Sequence, residues 1–285
     1  MKRNKEVKYA DKDFTLSSLP STRFKQIFDL IRHERNALFT LGLLLFFLGI
    51  LFVALTIYQG IFLAELEQEN DILLANLIFD ALRGLLLFLF SFLFAGAFQT
   101  LRRLSYGEGL VFWLDFRKGI GQNAKGNLSF AFFLGVSRSI ISFWPWALSL
   151  AGAPNWAKTL LEAFAVGFFY LVALPLGFYG AELNAVYSLP LSGRWNNAAR
   201  LYLKHLLPSL AFGLIPLGIY SLTLIPSIPF IAYASIQGVV ALCFVFYLLS
   251  FHQFVFYAFD QDFNHRLYPS YYRKGLCPLD ENKEK

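Results

Sequence analysis

The chain has 285 residues, of which 56% are hydrophobic, 18% aromatic (33 of them Phe) and only 15% charged, against roughly 25% charged in soluble domains. That balance excludes an ordinary soluble globule and indicates a polytopic membrane protein. The formal charge of +6 does not imply a nucleic-acid partner, because the basic residues fall in short flanks of apolar runs, as insertion beside anionic inner-leaflet lipid requires.

Residues 1–20 are polar, mixed in charge and read as a cytoplasmic tail without a removable signal peptide, so the first span serves as its own insertion signal. Near 21–36, Phe24, Ile27, Phe28 and Ile31 recur at helical spacing with Lys25, Arg32 and Arg35 off that face, which predicts an interfacial helix from about Ser21. Residues 37–58 carry no charge, and at about 1.5 Å per residue they cross a hydrocarbon layer of about 30 Å. The connection holding Glu65, Glu67, Glu69 and Asp71 has no base and belongs outside. A second span over about 72–100 contains Asp80 and Arg83.

The following loop, 102–127, carries five basic residues against two acidic ones, which places it in the cytoplasm. Ser105 and Glu108 have the spacing of a capping box. Trp113, Phe116 and Ile120 follow at helical spacing, away from Asp115, Arg117 and Lys118, predicting a second interfacial helix near 105–122. The third span, 128–150, has Arg138 near its middle and Trp144, Pro145 and Trp146 at the level of an outer aromatic belt. The fourth, about 160–187, has Glu162 near its outer end and Pro175 where a kink is expected. Glu182 lies toward its cytoplasmic end, as an interfacial anion near Arg194 or as a proton relay. A third interfacial helix near 192–206, capped by Ser192, aligns Trp195, Ala198, Ala199, Tyr202 and Leu206, with Arg194, Arg200 and Lys204 nearby. The fifth span, 207–225, contains Pro216; a Pro-Ser-Ile-Pro turn leads to the sixth, from 230 past 251 and up to 259; and 260–285 is a polar, basic tail.

Nine Lys and Arg precede the first span, five lie in the 102–127 loop, three in the 188–206 loop and five in the tail, whereas Lys158 alone lies on the opposite side. The expected fold is therefore all-α: a transmembrane bundle of six spans over 21–259, in the cell membrane, with both termini cytoplasmic. The chain also reads as three units beginning near Ser21, Ser105 and Ser192, each an amphipathic helix followed by an out-and-back hairpin. A true repeat and chance similarity in low-diversity apolar sequence both fit. An inverted repeat does not, since it would move one interfacial helix to the outer side.

In residues 95–127 a small-residue span end is followed by the Arg102–Arg103 pair, Gly107–Glu108, the Trp-Leu-Asp-Phe run ending at Phe116 and Asn127. This order resembles the YesL-like family of bacterial integral membrane proteins, a family of unknown function. The tail motif from Phe263 to Pro269, with Lys274, Gly275 and Leu276, is similar to tails of such proteins. The chain is longer than the usual member, and its first span lacks the proline-bearing end of the family. The resemblance implies association with carbohydrate uptake and supplies no catalytic residue.

The residues offering chemistry are intramembrane charges. Asp80 and Arg83 share a helical face, and Arg138 needs a partner from Asp80 or a fourth-span glutamate, because an arginine at a helix centre costs about 2.5–3.5 kcal/mol on insertion scales. Asp80, Arg83, Arg138, Glu162 and Glu182 thus form either a polar functional site or internal ion pairs that fix packing. Residues 118–127 are glycine-rich but lack the Gly-Lys-Ser/Thr ending of a phosphate loop. His33, His205, His252 and His265 have no metal-ligand spacing, and Cys243 and Cys277 form no framework. The sequence therefore predicts no enzyme, no metal and no cofactor. Trp113, Phe116, Arg117, Lys118, Trp195, Arg200 and Lys204 form a candidate surface for inner-leaflet lipid or a partner such as a transporter complex. A non-enzymatic accessory or regulatory protein is the first expectation, and a small-solute transporter or channel built around Arg138 is the alternative.

Overall fold

A lipid interior offers backbone N–H and C=O groups no partners, so long apolar runs must form helices. The computed structural model describes residues 19–187, 189–222, 230–259 and 275–276, and among these it contains helices and no strand. In chain order they are α1 (Arg23–His33), α2 (Arg35–Leu63), α3 (Glu69–Ser105), α4 (Phe112–Ser139), α5 (Phe143–Leu150), α6 (Asn155–Phe168), a π turn (Phe169–Ala173), α7 (Leu174–Val186), α8 (Leu191–Lys204), α9 (Leu206–Ser221) and α10 (Phe230–Phe259). The tails 1–18, 260–274 and 277–285 and the Pro-Ser-Ile-Pro turn lie outside the described residues.

Among the described residues, four helical stretches are long and apolar enough to cross a membrane: α2, α3, the run Asn155–Val186 and α10 from Ser235. Two bent pairs, α4 with α5 at 44° and α8 with α9 at 93°, raise the number to six when each pair is counted as one span. The fold is an all-α bundle of membrane-spanning character. Its two ends are segregated. Lys158 of α6 reaches Glu69 at 2.7 Å and Ser149 of α5 reaches Asn70 at 2.8 Å, joining the start of α3 to the hairpin of α5 and α6. At the opposite end, α1 meets the end of α3.

The middle interfacial helix differs from expectation. Ser105 is not a cap; it is the last residue of α3 and is fully buried. Residues 112–122 are instead the first turns of one unbroken helix, α4, that continues into the span. A Ser-x-x-Glu pattern is short and local, and packing of the α3 end overrode it. Asp115 takes over the capping role from the other direction, accepting from the Val111 N–H at 2.8 Å. The three units therefore differ in form, since α1 and α8 are separate helices and the middle amphipathic segment is not. Ser192 is likewise no cap: α8 begins at Leu191 behind Pro190. For α1 the cap is Thr22, whose hydroxyl accepts from the Lys25 N–H at 3.2 Å.

Without a hydrophobic force between helices in lipid, close packing requires small residues at the contact. A Cβ on Gly84 of α3 would fall 2.4 Å from the Gly135 carbonyl oxygen of α4, and one on Gly119 of α4 would fall 3.1 Å from the Gly96 Cα of α3. These two crossings bring the backbones of α3 and α4 together along most of their shared length. α7 runs through the centre, with every residue from Gly177 to Ala185 buried. Pro175 causes no break in the run Asn155–Val186. The backbone adjusts through the π turn just before it, where Tyr202 of α8 donates to the Leu171 carbonyl at 2.9 Å.

Candidate functional site

Among the described residues, two buried centres that each hold an ion pair or a carboxylate–imidazole contact lie far apart along α3. Asp80 and Ser105, which mark them, are 25 residues apart, about 37 Å of helix rise.

The first centre is organised by Asp80, which is 5% exposed. Its Oδ1 accepts from Arg83 Nη1 at 2.9 Å and lies 2.8 Å from Arg138 Nη1, while Ser142 donates to its Oδ2 at 2.6 Å. Arg83 also donates to Gln59, which in turn donates to Asn76 at 2.7 Å, and it reaches Thr56 at 3.4 Å. Arg138 is not at the middle of a straight span, as the sequence suggested, but in the last turn of α4, one residue before the bend into α5. The exposed carbonyls of a helix C-terminus favour a cation there, and the guanidinium also lies 5.8 Å from the Phe169 ring centroid. Helix α6 carries Glu162, half-buried and in no ion pair among the described residues, so Asp80 alone is the carboxylate bound to Arg138.

The second centre contains Glu182, fully buried and not beside Arg194 at an interface as expected. Its Oε1 lies 2.5 Å from His252 Nδ1, and His252 Nε2 lies 3.0 Å from Ser105 Oγ. A proton on Nδ1, donated to the carboxylate, leaves Nε2 to accept the Ser105 hydroxyl. Gln253 donates to the same hydroxyl oxygen at 2.6 Å. Glu182 Oε2 and Gln253 Oε1 have no hydrogen-bond partner among the described residues. Gln26 of α1 donates to the Ser105 carbonyl at 2.5 Å and to the Gly275 carbonyl at 3.1 Å, so a tail fragment also seats here. Gly275 has φ +77°, and a Cβ on it would sit 2.0 Å from the Ser105 carbonyl oxygen, which only glycine avoids.

Hydroxyl, imidazole and carboxylate stand in the order of an activated nucleophile. Ser105, His252 and Glu182 are nevertheless all fully buried, with the hydroxyl further occupied by Gln253. The arrangement ties α3, α7, α10 and α1 together. His252 and Gln253 were missed as site residues in the sequence, although a His-Gln pair in the uncharged, largely apolar 230–259 run is the signal that marks them.

No family model, curated protein or solved structure matches the chain.

The residues expected to form a partner surface divide into two groups. Trp113, Arg117, Lys118, Arg200 and Lys204 are exposed. Phe116 is buried and stacks on Phe112, and Trp195 packs on Phe130 and Phe133 and donates to Ser129 at 3.2 Å, so these two hold α4 and α8 in place. Asp115, outside the apolar part of α4, pairs with Arg103. Burial opposes its charge, but the Val111 N–H and the Arg103 guanidinium outweigh that and hold the carboxyl below its ordinary range.

Between the two centres lies a cavity of about 450 Å³, walled by α2, α3, the π turn, α7, α9 and α10, with no charged residue in its described lining. Arg138 is not part of that lining.

Proposed function

We propose that the chain is a non-enzymatic accessory or regulatory protein of the bacterial cell membrane, with both termini in the cytoplasm, that acts through its basic end on a transporter complex for carbohydrate. The observation carrying this reading is that the buried charges are paired with one another across helices. Asp80 binds both arginines of the first centre and Glu182 binds His252, so these groups serve as interhelical ties in lipid rather than as walls of a solute path. The apolar character of the cavity supports the same reading. The exposed Trp113, Arg117, Lys118, Arg200 and Lys204 supply an aromatic and basic surface suited to a partner at the inner leaflet. The link to carbohydrate uptake, like the bacterial source, comes from the YesL-like resemblance in residues 95–127.

Purified full-length protein reconstituted in vesicles and offered labelled mono- and disaccharides tests the role. An accessory protein gives no flux above empty vesicles. Saturable uptake that disappears in Arg138→Leu contradicts it and supports a transporter.

A further inference from the structure

The cavity lies near the midpoints of α2 and α3, where Phe52 and Phe90 line it, and its volume of about 450 Å³ falls in the usual range of small-molecule sites, roughly 300–1,000 Å³. Of its lining side chains only Tyr170, Tyr220, Gln237, Cys243 and Tyr247 carry a polar atom or sulfur, and the Tyr247 hydroxyl already donates to Phe212 at 3.0 Å. Water needs two to four polar partners, and large apolar cavities take apolar ligands instead. Ring contacts resist collapse of the space: Phe52 on Phe90 at 5.1 Å, Phe94 on Phe178 at 5.2 Å and Phe244 stacked on Tyr247 at 5.6 Å. The opening faces sideways. Ile215 of α9 is 53% exposed and Cys243 of α10 is exposed, and both line the cavity, whereas the ring contacts that join α9 to α10 are made by Phe212, with Tyr247, Phe251 and Phe254. In a bundle of membrane-spanning helices such a slot opens onto hydrocarbon.

We propose that this cavity binds one hydrocarbon chain of a membrane lipid, acyl or isoprenoid, entering between Ile215 and Cys243. A chain moving from bilayer to cavity gains nothing from leaving water. Its binding rests on dispersion contacts with a fixed aromatic wall that would otherwise face a void. This site goes beyond the accessory role and depends only on the chain lying in a membrane.

The test uses full-length protein in phosphatidylcholine vesicles containing a phospholipid with a diazirine at mid-chain, and in parallel vesicles a polyprenyl phosphate with the same reactive group. Irradiation followed by peptide mapping should place crosslinks on Tyr220, Phe244 or Tyr247, and whichever probe labels them more strongly identifies the chain type. Cys243→Trp at the mouth and Val53→Phe inside should each remove that label while leaving labelling of the outward Phe132 and Phe164 unchanged, and a helical spectrum with a single elution peak verifies folding. In the wild-type chain, crosslinks confined to outward residues such as Phe132 and Phe164 overturn the proposal without any variant. Cavity labelling that survives both substitutions in folded protein also overturns it.

Discussion

Arg138 of α4 and Arg83 of α3 converge on a single oxygen, Oδ1 of Asp80, at 2.8 and 2.9 Å. Two guanidinium groups against one carboxylate leave a local charge of +1, softened by Gln59, Thr56 and the carbonyl end of α4. With only 7% of the Arg138 and Asp80 side chains exposed, the pair is a tie between helices that Asp80 cannot leave cheaply.

The proposed sidedness of the chain predicts chemical access. In a background with Cys243 and Cys277 replaced by Ser, single cysteines at Glu67 or Asn155 should react with an impermeant maleimide added outside intact cells. Cysteines at Lys118 or Lys204 should react only after permeabilisation. Outside labelling of the second pair would remove the six-crossing, both-termini-inside arrangement.

Close approach of α3 and α4 predicts intolerance at one glycine and tolerance at another. Gly84→Ala places a methyl 2.4 Å from the Gly135 carbonyl, and such overpacking costs about 1–3 kcal/mol. Gly121→Ala meets nothing within 4 Å and should be neutral or stabilising by up to ~1 kcal/mol. Thermal unfolding in detergent compares them, and equal midpoints would show that the helices do not cross there.

The second centre predicts a graded response. Glu182→Ala removes the acceptor of the His252 Nδ1–H in a fully buried site, a loss of about 1–3 kcal/mol. Glu182→Gln keeps an acceptor and should lose less. Equal loss from both substitutions would mean that volume, not the hydrogen bond, governs this position.

Much of the bundle was legible because lipid restricts the options: long apolar runs have to be helices, and the cost of Arg138 demanded the carboxylate that Asp80 supplies. Local readings were weaker. Ser105 and Ser192 looked like caps because cap motifs consist of two or three residues, and burial of the α3 end and Pro190 before α8 decided otherwise. The Glu182–His252–Ser105 contacts join residues 70 and 147 positions apart, and no spacing rule connects them. Trp195 fitted an interfacial face by periodicity, yet Phe130 and Phe133 of α4 claimed it.

A double-substitution cycle on Asp80 and Arg138 tests most directly the claim that buried charge here is structural. Unfolding free energies of Asp80→Leu, Arg138→Leu and the pair together are measured in the same detergent. Asp80→Leu strands both arginines and should cost on the order of 3–5 kcal/mol; Arg138→Leu leaves Asp80 paired with Arg83 and should cost less, and the double change should cost less than the sum of the two single changes. Additive losses, or single changes that leave stability untouched while altering solute flux in vesicles, would contradict it.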